Sequence, residues 1–443
     1  MASIISPLGL DNGVIHFGIR HWQKNKARLS NVIVQSIVIS TGFGLLIGLV
    51  IFMTSPLLSS IFNKPELSEL FKWFAIGFPL ITGMKVATAA TRITQKMRFT
   101  IIVEELSQPL LNLTLIIVLY FLGLGIVGFI NAAIVSFGFA FALGLIYIRR
   151  LFSPTLKDVT QTIIRKSWDL LKFSLPTAFS GMFAALVLII DRVLIGVYRP
   201  EAEAGIYQAI SLISVLFITI LSAFKTIVSP LIADLGQQTS DRLGLDSMVR
   251  TSIRWGLFVS LPINILIWFS APEIITILFG PEYIPGVAPL IILSFAYLVN
   301  LLSGSVDHFL IMTGHQTTWL RISALMFLVN VIGNLILIPS MGMIGAALIM
   351  LATFSGISLL GLFSIKRLLK IWPYDRETIK VLVAGGATVV AMLLLSKSAI
   401  SSEIISLMLK AITCGGVFAL SLVFLGLHRD DLKLISLIRQ NYE

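Results

Sequence analysis

Arg192 and Lys225 are the residues of this chain best suited to hold an anion. Both fall inside long apolar stretches, where an ionised side chain is costly and ordinarily faces a water-filled path or a partner. An arginine fork and a lysine ammonium together suit the oxygens of a phosphate or pyrophosphate. Asp191, a further substrate-binding candidate, precedes Arg192 and projects about 100° away from it on a helix, so the two do not share a face. The competing reading has Asp191 and Arg192 anchoring a helix end by hydrogen bonds and Lys225 snorkelling toward headgroups. Lys85, in the middle of another apolar stretch, is a third cationic candidate. Asp307 could be the counter-ion of a cavity cation, or a site for a coupling proton or sodium ion. His308 beside it could share that coupling role, although packing is the commoner role for such a histidine. Lys410 is expected to face a neighbouring helix. Asn112, Asn300, Asn330 and Asn334 read as interhelical hydrogen-bonding groups.

Other chemistries find little support. There is no glycine-rich phosphate loop carrying a lysine, hence no sign of ATP as the drive. Five histidines and one cysteine, Cys414, show no metal-ligand spacing. No paired carboxylates occupy a loop, as a membrane glycosyltransferase would need. No cofactor is expected, and no enzyme.

The elements that must position these residues are membrane-spanning helices. Of the 443 residues 56% are hydrophobic and only 12% charged, about half the charge of an ordinary soluble domain. The net charge of +11 would suggest nucleic acid in a soluble protein. Here the basic residues sit beside apolar blocks, the mark of cytoplasmic loops, and no nucleic-acid partner is expected. Twelve blocks run over 31–52, 71–91, 103–122, 126–148, 173–197, 206–232, 253–271, 287–312, 322–338, 344–364, 381–396 and 404–426. Most have the length needed to cross the hydrocarbon. With a cytoplasmic N-terminus and one crossing per block, 25 Lys and Arg fall inside and four outside. A single missed span would invert everything after it, so the bias favours twelve spans with both termini cytoplasmic in the cell membrane. Pro79, Pro109, Pro176 and Pro262 lie in or near spans and read as kinks, or as hinges of a conformational cycle. The basic stretch 149–172 could lie on the membrane surface as an amphipathic helix.

The chain also repeats itself. Residues 125–151 and 342–368 match without gaps at nine of 27 positions, including Gly125/Gly342, Phe137/Phe354, Gly144/Gly361 and Arg150/Arg367. Corresponding blocks run in the same direction, so the repeat is parallel, a feature of secondary transporters. The expected organisation is a first lobe of four spans over 1–150, a basic linker over 151–172, a second lobe of six spans over 173–370, and two additional spans with a tail over 371–443.

The stretch "LIIDRVLIGVYRPEAEAGIYQAISLISVL" (188–216) resembles the polysaccharide biosynthesis family of membrane proteins. Its pattern is Asp191-Arg192 within a span, Gly196, a short turn, then Gly205, Ile206 and Tyr207 opening the next helix. "LGLDNGVIHFGIRHW" (8–22), "LFGPEYIPGVAPLIIL" (278–293) and the Gly-x-x-Gly-Ala start at 342–346 are similar to further family segments. The resemblance implies an all-α polytopic bundle of two lobes in a V around a central cavity. It implies a flippase carrying an oligosaccharide on a polyprenyl pyrophosphate, within a superfamily that also holds multidrug exporters. Glycan polymerases or glycosyltransferases are the partners it suggests. By that resemblance the first lobe lacks two helices, with residues 6–30 standing where a second helix should finish. A small-molecule exporter and a shortened, non-transporting partner in a glycan assembly complex are the alternatives.

Overall fold

The computed structural model describes residues 8–22, 26–61, 67–94, 98–152, 163–214, 242–304, 306–370, 372, 374–396 and 402–426, and these are helical almost throughout. Helix α1 spans Leu10–His21, α2 Lys26–Ile61, α3 Leu67–Thr91, α4 Arg98–Phe121 and α5 Gly125–Phe152. Helix α6 follows over Ile163–Tyr198, α7 over 201–214, α8 over Arg242–Phe279, α9 over Val287–Leu302 and α10 over Val306–Met312. The last three are α11 over Gln316–Leu368, α12 over Arg376–Leu395 and α13 over Glu403–Leu425. Among the described residues, ten stretches are long and apolar enough to cross a membrane.

These ten account for eleven of the twelve expected spans, because α11 holds two of them. Its 53 residues fold back at Gly342, whose backbone (φ 56, ψ −132) is not helical. A β-carbon on Gly333 would meet Ile349, one on Gly356 would meet Met326, and Gly345 lies against the Leu337 carbonyl. The two arms therefore pack antiparallel as a helical hairpin. The remaining expected span, 206–232, begins in α7 and continues outside the described residues.

Two other expectations change. The apolar block 287–312 is not one helix. The 3-10 turn Pro281–Gly286 precedes it, and α9 stops at Leu302. Gly304 is left-handed (φ 66), and a β-carbon there would press on Ile253 at 2.6 Å. Only glycine takes this conformation freely, so the chain breaks and α10 starts afresh. In the basic stretch before the fifth span, the chain is helical from Ile163 and continuous with α6. That part is an extension of the span rather than a separate surface helix.

The chain divides into two compact units. The first comprises the described residues of Met1–Ala185 with Ile311–Leu320. At its centre α3 is flanked by α2 and α5. Gly44 and Gly48 of α2 lie against Thr82 and Ala75 of α3, an antiparallel register. Gly83 and Ala87 of α3 meet Phe141 and Gly144 of α5, a parallel one. Glycine allows these close approaches, which drive helix association where lipid is the solvent. Helix α1 is buried along Leu10, Val14 and Ile15. Its His16 ring stacks on Phe173 with centroids 4.3 Å apart, and its Nδ1 lies 3.0 Å from the Met312 carbonyl.

The second unit comprises the described residues of Leu186–Val228, Thr239–Leu310 and Arg321–Glu443. Its core is a continuous apolar cluster that includes Ile195, Tyr207, Ile210, Ile275, Leu290, Ala346 and Met350. The outward faces carry large apolar side chains, among them Ile332, Leu359, Ile412 and Phe424, as lipid contact requires.

Two polar clasps hold this unit. At the tip of the α11 hairpin, Glu203 accepts the Met343 N–H at 2.8 Å and pairs with Arg199 at 2.8 Å. A β-carbon at Gly342 would stand 1.9 Å from the Glu203 carboxylate in a backbone conformation that disfavours side chains. Gly342→Ala is expected to destabilise the folded protein by about 1–3 kcal/mol, measured as a fall in the thermal midpoint of the purified protein. At the start of α12, Asp375 caps the helix. It accepts the Thr378 N–H at 2.8 Å, and Arg254, itself 3% exposed, donates to it at 3.3 Å.

Burial pushes the Asp375 carboxyl up, but the two Thr378 hydrogen bonds and the charge of Arg254 outweigh it and hold its pKa below the usual value. A group depressed by folding stabilises fully above its unfolded pKa and loses that contribution as pH falls through the folded value. The thermal midpoint should therefore drop on acidification below the ordinary carboxylate range. Asp375→Asn should lie lower at neutral pH and show a smaller acid-induced drop.

Candidate functional site

The fifth span brings an acid and a base to different surroundings one residue apart. Asp191 points into the core of the second unit and is 2% exposed. One of its oxygens accepts the Tyr207 hydroxyl of α7 at 2.7 Å, and the other lies 2.8 Å from the Arg192 backbone N–H. Tyr207 is fully buried, and Tyr297 of α9, 7% exposed, sits edge-on to Phe354 of α11 with centroids 5.1 Å apart. A carboxylate among apolar side chains requires such partners. The Asp191–Tyr207 bond thus ties α6 to α7 directly at the turn that carries Arg192.

Arg192 projects elsewhere and is half-buried. Its Nε is buried without a hydrogen-bond partner. Among the described residues, no carboxylate stands within ion-pair distance of its guanidinium. A buried, unmatched guanidinium donor is costly and suits an anion supplied from elsewhere.

The other expected residues are distributed as follows. Lys85 lies on α3, half-buried between the buried Met84 and Val86. Asp307 and His308 sit on the short α10 with Oδ2 and Nδ1 3.3 Å apart, and both side chains are partly exposed. Lys225 lies outside the described residues. Asn330 behaves as expected of a hydrogen-bonding group between helices, whereas Asn334 bonds within its own arm of α11. Asn330 donates to Thr353 across the α11 hairpin at 3.0 Å and accepts from Asn334 at 3.1 Å. Among the described residues no group of His, Cys, Asp and Glu could hold a metal ion.

One cluster escaped the sequence. Helix α4 widens to a π-helix over Ile101–Ser107, a form concentrated at functional sites. At its centre Glu104 accepts from the Thr88 hydroxyl and pairs with Arg92 at 3.5 Å. Lys85, Thr88 and Arg92 recur at helical spacing, with Lys85 and Thr88 on α3 and Arg92 opening the 3-10 turn Arg92–Thr94 that continues it. That spacing is visible in the sequence, but its partner on the next helix is not.

Comparisons with known proteins agree on what this bundle is. Residues 1–288 match the family model described as polysaccharide biosynthesis protein. The capsular polysaccharide biosynthesis protein CapF of Staphylococcus aureus is 25% identical over 185 residues, 42% of this chain and 46% of that protein. The probable low-salt glycan biosynthesis flippase Agl15 of Haloferax volcanii is 22% identical over 203 residues, 46% of this chain and 42% of that protein. The matched segments thus span less than half of either relative. A solved transporter of the MOP superfamily from Pyrococcus furiosus shares the fold, with a TM-score of 0.69 at 18% identity over 84% of this chain and 85% of that one. With multi-pass helices and a family match over residues 1–288, the chain belongs to the polysaccharide biosynthesis protein family, and its fold is that of the solved MOP-superfamily transporter.

Proposed function

We propose that the protein moves a lipid-linked oligosaccharide or polysaccharide precursor from the cytoplasmic to the outer leaflet. The observation that carries this reading is Arg192. It is a half-buried guanidinium in a spanning helix, with a buried Nε that has no hydrogen-bond partner among the described residues. A pyrophosphate joining glycan to polyprenyl lipid supplies the oxygens it lacks. Lys85 and Lys225 are the further cations proposed to bind the substrate. Asp191 acts through its bond to Tyr207, holding the turn of α6 from which Arg192 projects.

The likeness to a probable glycan flippase supports a lipid-linked glycan as substrate, and the distribution of Lys and Arg supports cytoplasmic termini in the cell membrane. Transport then follows from rocking of two lobes that alternately open to the two leaflets. Asp307 and His308 are the groups proposed for a coupling proton or sodium ion. Glycosyltransferases or polymerases that make and use the glycan are the proposed partners.

Complementation tests the reading. Expression in cells that lack their own flippase and accumulate lipid-linked glycan should restore surface glycan. Resistance to toxic compounds without surface glycan would overturn it in favour of a small-molecule exporter.

A further inference from the structure

Four helices of this chain end in the same way. Two residues beyond the last helical residue of α4, α9, α10 and α11, the backbone turns left-handed. At three of these positions the residue is glycine: Gly123 (φ 78), Gly304 (φ 66) and Gly314 (φ 86). At the fourth it is Lys370 (φ 58). Glycine is the usual residue there because a β-carbon clashes with the backbone. Lysine gains nothing from that geometry and carries its steric cost.

The surroundings of Lys370 point to a use for it. Lys366, Arg367, Lys370 and Arg376 are all exposed around the α11–α12 connection. Among the described residues none of the four enters an ion pair. The nearby acids are already engaged, Glu377 by Lys380 at 2.8 Å and Asp375 by Arg254 and Thr378. The connection is also anchored, since the Tyr374 hydroxyl donates to the Leu302 carbonyl at 3.0 Å. Trp372 is 47% exposed, with the Lys366 ammonium 4.9 Å from its ring centroid. The apolar Leu368, Ile379 and Leu382 are exposed on the adjoining helices. Cations and an indole at the edge of a lipid-facing apolar surface are the arrangement found at the headgroup layer.

We propose that the α11–α12 connection is a docking site for the phosphate of an anionic phospholipid headgroup. Lys366, Arg367, Lys370 and Arg376 supply the charge, and Trp372 sets the depth. The proposal stands apart from glycan transport and does not depend on it.

The test uses the full chain in nanodiscs of phosphatidylcholine alone and with phosphatidylglycerol. The thermal midpoint should rise with the phosphatidylglycerol fraction, and native mass spectrometry should show retained phosphatidylglycerol. Replacing Lys366, Arg367 and Lys370 by Gln should remove most of both effects. Replacing the exposed Arg149 and Arg150 at the end of α5 by Gln should remove much less. K370G separates binding from folding: it should be more stable than the parent in phosphatidylcholine yet gain less from phosphatidylglycerol. Equal losses from the two sets of substitutions would overturn the site, as would K370G keeping the full gain. So would stabilisation by soluble polyglutamate or inorganic phosphate and not by phosphatidylglycerol, which would assign the surface to a soluble acidic partner or a free anion.

Discussion

Lys410→Ala is expected to lower the stability of the folded protein by about 3–5 kcal/mol, the cost of leaving a buried charge without its partner. Lys410 is 9% exposed on α13 and pairs with Glu273 of α8. The pair sits at a break in α8. Ser270 is non-helical (φ −130, ψ 15) and Pro272 has no N–H to continue the ladder. The Phe269 carbonyl released by the break accepts from the Lys410 ammonium at 2.9 Å, and the Ser406 hydroxyl donates to Glu273 at 3.1 Å. One ammonium thus satisfies a carboxylate and a broken helix together, and it fastens α13 to α8. Glu273→Ala should cost about as much, for the same reason. Replacing both by Met should cost far less than either single change, since no unpaired charge remains. Thermal midpoints of the four proteins in one lipid composition measure this, and additive losses would contradict the pairing.

The second large effect concerns transport. Arg192→Ala should cut glycan export about 10- to 100-fold, with little change in the thermal midpoint. A charge-assisted hydrogen bond contributes roughly 1.5–3 kcal/mol, and 1.4 kcal/mol is about tenfold. The fold should tolerate the change because, among the described residues, Arg192 enters no ion pair and its Nε has no hydrogen-bond partner. Arg192→Lys should retain part of the activity, keeping the charge but losing the fork. Tyr207→Phe differs in kind: it leaves the buried Asp191 without its hydroxyl donor, so stability and export should fall together. Initial rates of surface-glycan appearance, paired with midpoints, separate the two patterns.

These effects also mark what could be read from the sequence. The spans were legible because lipid selects long apolar windows, whatever the packing within them. That Asp191 and Arg192 face different directions was legible too, since neighbouring residues on a helix point about 100° apart, but the bond that holds Asp191 to Tyr207 was not. The break after Leu302 was hidden because the apolar run continues across it, and only Gly304 marks it. The π-helix around Glu104 was hidden for a similar reason, since a local change of helical register leaves hydropathy untouched. Glu273 and Lys410 are 137 positions apart, and composition says that each needs a partner but not which one. The clasp of Glu203 on Met343 was equally invisible, because it depends on the turn at Gly342 that brings the hairpin tip to α7.

The most direct measurement is translocation by the purified full-length protein in liposomes holding a polyprenyl-pyrophosphate-linked glycan, read by the accessibility of the glycan to an external glycosidase. The account predicts that the protein exposes glycan loaded on the inner leaflet, that Arg192→Ala nearly abolishes this, and that the variant remains folded. Translocation undiminished in folded Arg192→Ala protein would contradict the role given to this guanidinium. No translocation by the wild type, with a control flippase active in the same liposomes, would contradict the proposed function itself.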